Sequence, residues 1–236
     1  MPPDPARLID ALKLNRPILG IYDAPEADAF RPLVTPGPGA CLFAAFPRWL
    51  AGETLHLRPE AAGCGGCGHW LFGLEGRPRA AFLDFLVDEE GLKASRDLMD
   101  RWLDSSRPYT PRHGQLFVGP LRPSAHAYLR AVTFLVDPDH LSALVYGANY
   151  HADPADPPPV LAPMGAGCMQ LLPLFPDLSA PQAVLGGTDV AMRRHLPPDV
   201  LLFSVTVPLF ERLCRLDARS FLGKPFLRRL QAERGL

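Results

Sequence analysis

Charge of a single sign is missing from this chain: 24 Lys and Arg stand against 25 Asp and Glu, for a net charge of −1. Without a broad basic field there is little to draw in a polyphosphate, so nucleic-acid binding is not expected. Long apolar runs are missing too. The longest, Val200 to Phe203 with Val205 to Phe210 beyond it, is broken by Ser204, Thr206 and Pro208. It falls short of the roughly 18 residues a membrane helix needs. The opening Met1-Pro2-Pro3-Asp4-Pro5 has no basic region followed by an apolar stretch, so no secretory signal is expected and the expected compartment is the cytoplasm. Several motifs of chemistry are absent as well. There is no Walker loop, no Gly-x-Gly-x-x-Gly after a strand and no Gly-x-Ser-x-Gly elbow, and the histidines lack HxH or HExxH spacing. The sequence therefore assigns no catalytic residue, and whether the protein is an enzyme stays open.

Proline is what the chain has in excess: 28 residues, more than twice the usual share of about 5%. They are spread along the chain, which points to many short elements and loops rather than one disordered tract. Five cysteines are present, an odd number. In a reducing compartment free thiols or metal ligands are expected before structural disulfides.

Periodicity places the elements. Pro5 to Leu14 reads as a short amphipathic helix, followed by a buried strand at Ile18 to Tyr22. A Pro/Gly loop leads to Cys41 and an apolar, helical stretch to Leu50. A strand over Thr54 to Leu57 precedes the loop Cys64-Gly-Gly-Cys67-Gly-His69, and helix resumes from Arg79 to Leu103. The second half repeats this order. Ala131 to Val136 is a strand rich in β-branched and aromatic residues, and Pro138 opens a helix through Tyr146. A proline-rich loop delivers Gly165-Ala-Gly-Cys168, Gly186-Gly187 turns the chain, and Val200 to Val207 is another buried strand before a helix to about Leu216. The expected fold is α+β: one unit over residues 1–236 with a mixed sheet, made of two pseudo-repeated α/β halves. These are about 8–110 and about 120–216, with a basic C-terminal tail over 217–236.

Cysteine placement carries the chemistry. Thiolates are preferred ligands of zinc, copper(I) and iron–sulfur iron, and glycine lets backbone pass close to a metal. Cys41, Cys64, Cys67 and Cys168 would complete a tetrahedral zinc site or the ligand set of a four-iron cluster. One close pair with two distant single cysteines favours the iron–sulfur cluster, with zinc as the alternative. A catalytic dithiol at Cys64 and Cys67 is a further reading, weakened because Gly65, Gly66 and Gly68 oppose helix initiation. The plain alternative is packing, since free cysteine behaves as a small apolar group. His69 would serve as a ligand or pack against Trp70. Cys214, at helical spacing with Phe210 and Leu213, reads as core.

A second candidate is an anion pocket at Gly186, Gly187 and Arg193, built from bare amides and a guanidinium; the plain alternative is a helix start capped by Thr188 or Asp189. The implied partners are a small or anionic ligand and a redox partner protein. A protein that binds a ligand in its glycine loops without metal, or an accessory subunit that binds a partner, is the competing class.

The run Leu14-Asn-Arg-Pro17-Ile-Leu-Gly-Ile, then Cys41, then Cys64-Gly-Gly with Leu71-Phe-Gly73-Leu, resembles the first half of the domain of unknown function 169 family. The strand Val132 to Val136, Gly165-Ala-Gly-Cys168, Gly186-Gly with Arg193, and Leu196-Pro197 before a last strand resemble its second half. The resemblance covers roughly Leu8 to Leu213. It implies a bacterial or archaeal cytoplasmic protein with a few recurrent cysteines, to which Cys41, Cys64 and Cys168 correspond. Cys67 falls outside that pattern, which leaves a three-thiolate site open.

Overall fold

The computed structural model describes residues 4–235. Helix α1 (Ala6–Leu12) buries Leu8 and Leu12, one turn apart, and leads into strand β1 (Ile18–Tyr22). Two-residue β2 (Leu33–Val34) is followed by the Pro/Gly loop to Cys41, a 3-10 turn at Leu42–Ala45 and α2 (Phe46–Leu50). Next come β3 (Thr54–Leu57), α3 (Gly65–Phe72) and α4 (Arg79–Asp84), which runs on as a π-helical turn over Phe85–Glu89. Helix α5 (Arg96–Ser105), capped by the Ser95 hydroxyl, and β4 (Leu116–Pro120) complete this half. In the second half β5 (Leu129–Val136), α6 (Pro138–Asn149) and β6 (Val160–Leu161) precede a 3-10 turn at Gly167–Gln170. They are followed by β7 (Ala183–Gly186), α7 (Val190–Arg193), β8 (Leu201–Thr206), α8 (Val207–Arg215) and α9 (Pro225–Arg234).

The strands form one eight-stranded mixed sheet in the order β2-β3-β4-β1-β5-β8-β7-β6. The outermost pairs, β2 with β3 and β6 with β7, are parallel, and every other pair is antiparallel. Read outward from the central β1–β5 pair, the strands run first, fourth, third, second in each half. Two four-stranded wings therefore share one sheet, and Cys41 and Cys168 follow the corresponding short edge strands, β2 and β6. Descent of both wings from a single ancestral unit remains an inference from the sequence.

Both faces of the sheet are covered, which is why its central strands are apolar at nearly every position. Leu19 and Ile21 of β1, Leu135 of β5 and Leu202 of β8 pack on one side with Trp49, Trp70, Leu83 and Met99 from α2 to α5. Ile18 and Tyr22, Phe134 and Phe203 pack on the other with Leu8, Leu144 and Leu209 from α1, α6 and α8. Each large side chain fully removed from water contributes roughly 1.5–3 kcal/mol relative to exposure. Thr133 and Ser204, opposite each other on β5 and β8, satisfy one another through a buried hydroxyl pair at 2.8 Å.

Strand β1 ends on Asp23, a carboxylate with no exposed surface. It accepts from the backbone N–H of Arg112 (2.8 Å) and His113 (3.0 Å) and from the Tyr109 hydroxyl (3.0 Å). Burial pushes the Asp23 pKa up, but those donors outweigh it and the carboxyl sits below its ordinary value. Asp23 thereby pins the segment between α5 and β4 to the centre of the sheet.

Four features differ from the sequence reading. Strands β2, β4, β6 and β7 form where no strand was expected, β2 and β6 within proline-rich stretches read as loops, and the first wing extends past residue 110 to take in β4. The basic tail contains α9, anchored by buried Leu227. Leu92 and Leu98, read with the helical core, are exposed. Finally, the glycine-rich Gly65 to Gly68 segment, read as a loop, is helical, with Cys64 as its N-cap. No described helix is long and apolar enough to cross a membrane.

Candidate functional site

Two loops lead to Cys41 and to Cys64, and a glycine holds them together. Gly63 has φ of +84°, a conformation that costs an L side chain roughly 1–2 kcal/mol. Its carbonyl accepts from the Gly39 N–H at 3.0 Å, so the loop before Cys41 lies directly on the loop before Cys64. A Cβ at Gly63 would stand 2.6 Å from the Ala40 carbonyl oxygen.

Cys64 is the N-cap of α3 and Cys67 the third residue of that helix. Glycine costs about 0.5–1 kcal/mol in a helix relative to alanine, the reason Gly65 and Gly66 argue for a loop. Tertiary burial overrides that cost: Cys67, Trp70, Leu71 and Phe72 are all buried by this one short helix. Gly73, left-handed at φ +67°, closes it, with Leu74 N–H reaching back to the Gly68 carbonyl at 3.1 Å.

Cys168 comes from the other wing, in the 3-10 turn Gly167–Gln170 that packs against α3. Its loop is bolted down from below. Gly167 N–H donates to the Asp189 carboxylate at 2.9 Å. Gln170 is fully buried, accepts from Gly187 N–H at 2.7 Å and donates to the Thr188 hydroxyl at 2.9 Å.

Cys41, Cys64, Cys67 and Cys168 thus all lie in or against the core on one face of the sheet. Cys67 and Cys168 are buried, and Cys41 and Cys64 half-buried. The Cys64 and Cys67 sulfurs lie 3.6 Å apart. Contact with Cys67, then burial, drives the Cys64 thiol pKa far up. The Cys168 thiol and burial raise Cys67 as well, against the hydrogen bond it accepts from Cys64 and a smaller opposing effect of the Leu42 backbone N–H. Burial raises Cys41, helped by Cys64 and Asp189. None of the leading influences on these three thiols is a Lys or Arg, so as they stand they are protonated. Among the described residues, no group of three or more His, Cys, Asp or Glu side chains is set to hold a metal ion as placed.

Over residues 7–215 the sequence matches the domain of unknown function 169, described as uncharacterised ArCR. The chain belongs to this family. No curated protein and no solved structure matches it. In this unknown-function 169 protein the cysteine cluster is therefore read on its own geometry.

The remaining expected site residues are placed differently. His69 directs Nδ1 at the Leu74 carbonyl (3.2 Å) and meets Trp70 edge-on, the packing arrangement. Gly186 lies in β7, paired with Leu202. The Gly187 N–H is taken by Gln170, and the Arg193 guanidinium donates to the carbonyls of Pro197 (3.2 Å), Pro198 (2.8 Å) and Val200. The bare amides and free guanidinium expected for an anion pocket are thus engaged within the protein. Asp189 is the N-cap of α7, accepting from Ala191 N–H. Cys214 sits on the opposite face of the sheet, half-buried, its thiol pushed up to about 12 chiefly by burial.

Sequence reasoning missed Gln170, Asp189 and Gly63 as the residues that position the cysteines. For Gln170 a signal existed: an uncharged polar residue inside Cys-Met-Gln-Leu-Leu needs a buried partner.

Proposed function

We propose that Cys41, Cys64, Cys67 and Cys168 form a thiolate site for one soft metal ion, zinc ahead of an iron–sulfur cluster, joining the two wings of the sheet. The observation that carries this reading is the 3.6 Å separation of the Cys64 and Cys67 sulfurs. Two thiolates bound at about 2.3 Å to one tetrahedral ion stand about 3.8 Å apart. In a four-iron cluster each cysteine binds its own iron, which spreads the sulfurs further. The spacing therefore turns the preference away from the four-iron cluster that the scattered cysteines suggested. Cys168 supplies the third thiolate from the second wing and Cys41 the fourth.

Loading is not passive. Among the described residues no three of these side chains are set around a common point, so binding requires the thiols to release protons and turn toward the metal. The burial of Cys67 and Cys168, and the internal hydrogen bonds that engage Gly187 and Arg193, favour a structural or regulatory centre over substrate chemistry. The experiment is elemental analysis of anaerobically purified protein together with its visible spectrum. One equivalent of zinc in colourless protein is the expected result. Brown protein holding iron and sulfide moves the site to electron transfer with a redox partner. Metal-free protein that does not take up zinc on reconstitution overturns the reading and leaves ligand binding or an accessory role.

A further inference from the structure

We infer that Cys64 and Cys67 form a reversible disulfide, with Cys64 as the attacking thiol and Cys67 as the resolving one, and that this oxidation and metal binding exclude each other. The inference uses two sulfurs of the proposed metal site but does not depend on a metal binding there.

Position along the helix comes first. Residues at the N-cap and the third helical position face each other across the first turn, the relationship that a capping box exploits. Cys64 and Cys67 hold those two positions, and their sulfurs already touch at 3.6 Å. Closing to the roughly 2.05 Å of a disulfide takes rotation of two side chains rather than movement of a loop.

Access then assigns the roles. Cys67 is 1% exposed and Cys168 5% exposed, whereas Cys64 is half-buried at the surface end of α3. The approach to Cys64 is lined by glycine. A Cβ at Gly65 would meet nothing within 4 Å, and one at Gly66 would meet only the Cys64 sulfur, at 3.8 Å. The two glycines that weaken the helix thus leave the space beside the Cys64 sulfur free of side chains, while Cys67 behind it stays buried.

The step balances with a low-molecular-weight disulfide such as oxidised glutathione as the oxidant. Cys64, protonated at rest, first gives its proton to solvent; the thiolate so formed attacks one oxidant sulfur, a sulfur–sulfur bond to Cys64 forms, the oxidant's own bond breaks and one thiolate leaves. The Cys67 thiolate then attacks the Cys64 sulfur and expels the second thiolate. The protein loses two electrons and two protons, and the oxidant leaves as two thiols. With both sulfurs bonded to each other, only Cys41 and Cys168 remain, too few for a closed thiolate site.

The test is made on chelator-treated, metal-free protein equilibrated anaerobically in glutathione redox buffers, quenched by alkylation and mapped by mass spectrometry. The expected result is loss of two hydrogen masses, protection of Cys64 and Cys67 from alkylation, and recovery of both on reduction. Cys214→Ser, on the other face of the sheet, leaves this unchanged. In Cys67→Ser, Cys64 stops at the mixed disulfide with glutathione; in Cys64→Ser no adduct forms at Cys67. A Cys67–Cys168 bond in the wild-type protein, or no bond at all under oxidising buffer, overturns the inference. Zinc uptake by the reduced and oxidised forms is measured in parallel: uptake by neither defeats the metal reading alone, and equal uptake by both defeats the exclusion.

Discussion

Gly63→Ala and Gly65→Ala, two residues apart, are expected to act in opposite directions. Gly63 takes φ of +84°, where alanine pays roughly 1–2 kcal/mol. The new methyl would also lie 2.6 Å from the Ala40 carbonyl oxygen, a backbone atom that gives way only if the Cys41 loop moves. Overpacking of that kind costs typically 1–3 kcal/mol, so the substitution destabilises by about 2–5 kcal/mol in all. Gly65 opens α3, has an ordinary φ and has nothing within 4 Å of its Cβ direction. Alanine there stabilises by about 0.4–1 kcal/mol, mostly through the unfolded chain. In a chain of this size 1 kcal/mol moves the melting temperature by about 2–4 °C. Thermal denaturation should therefore show Gly63→Ala melting well below the parent and Gly65→Ala at or slightly above it. Because Gly63 also holds the Cys41 loop on the Cys64 loop, its variant should lose zinc affinity while Gly65→Ala keeps it. Equal melting temperatures for the two variants would refute both the left-handed backbone at Gly63 and the contact between the cysteine loops.

Other consequences follow from the same geometry. Asp23→Ala removes the acceptor for two backbone N–H groups and a tyrosine hydroxyl at a part-buried site and should cost about 1–3 kcal/mol in urea denaturation. Because the folded Asp23 pKa is lowered, the stability it supplies is present above the ordinary carboxylate pKa and is lost as pH falls through the folded value. Asp23→Asn should flatten the acid arm of the stability profile below about pH 4 and leave the arm above neutrality unchanged. Gln170→Ala leaves the buried Gly187 N–H unpaired, which predicts a loss of about 1–3 kcal/mol and, by freeing the Cys168 loop, weaker zinc binding in competition with a chelator. Arg193→Ala should lower stability by releasing three carbonyls without changing phosphate or sulfate binding, checked by calorimetry with either anion.

What was legible in the sequence follows burial. Strands β1, β5 and β8 stand out because both faces are covered, so Ile18 to Tyr22, Ala131 to Val136 and Val200 to Val207 are apolar almost without interruption. β4 contains Gly119 and Pro120, and β7 is only four residues ending in Gly186, so neither shows a strand pattern; their neighbours in the sheet create them. Helix α3 is illegible for the opposite reason, since its first two residues are poor helix formers and its stability comes from Trp70, Leu71 and Phe72 meeting the rest of the core. The glycine-rich surroundings of Cys41, Cys64, Cys67 and Cys168 singled these residues out, but which of them meet depends on tertiary packing that the sequence does not display. The supports were not legible either, because Gly187 reaches Gln170, and Asp189 reaches Gly167, across about twenty residues with no local signature.

The most direct measurement is X-ray absorption at the zinc edge on reduced, zinc-loaded protein. The account predicts one tightly held ion in a shell of sulfur at about 2.3 Å, four scatterers in the parent and three in Cys168→Ser. A shell dominated by nitrogen and oxygen, or one that keeps four sulfurs after Cys168 is replaced, contradicts a thiolate centre shared between the two wings.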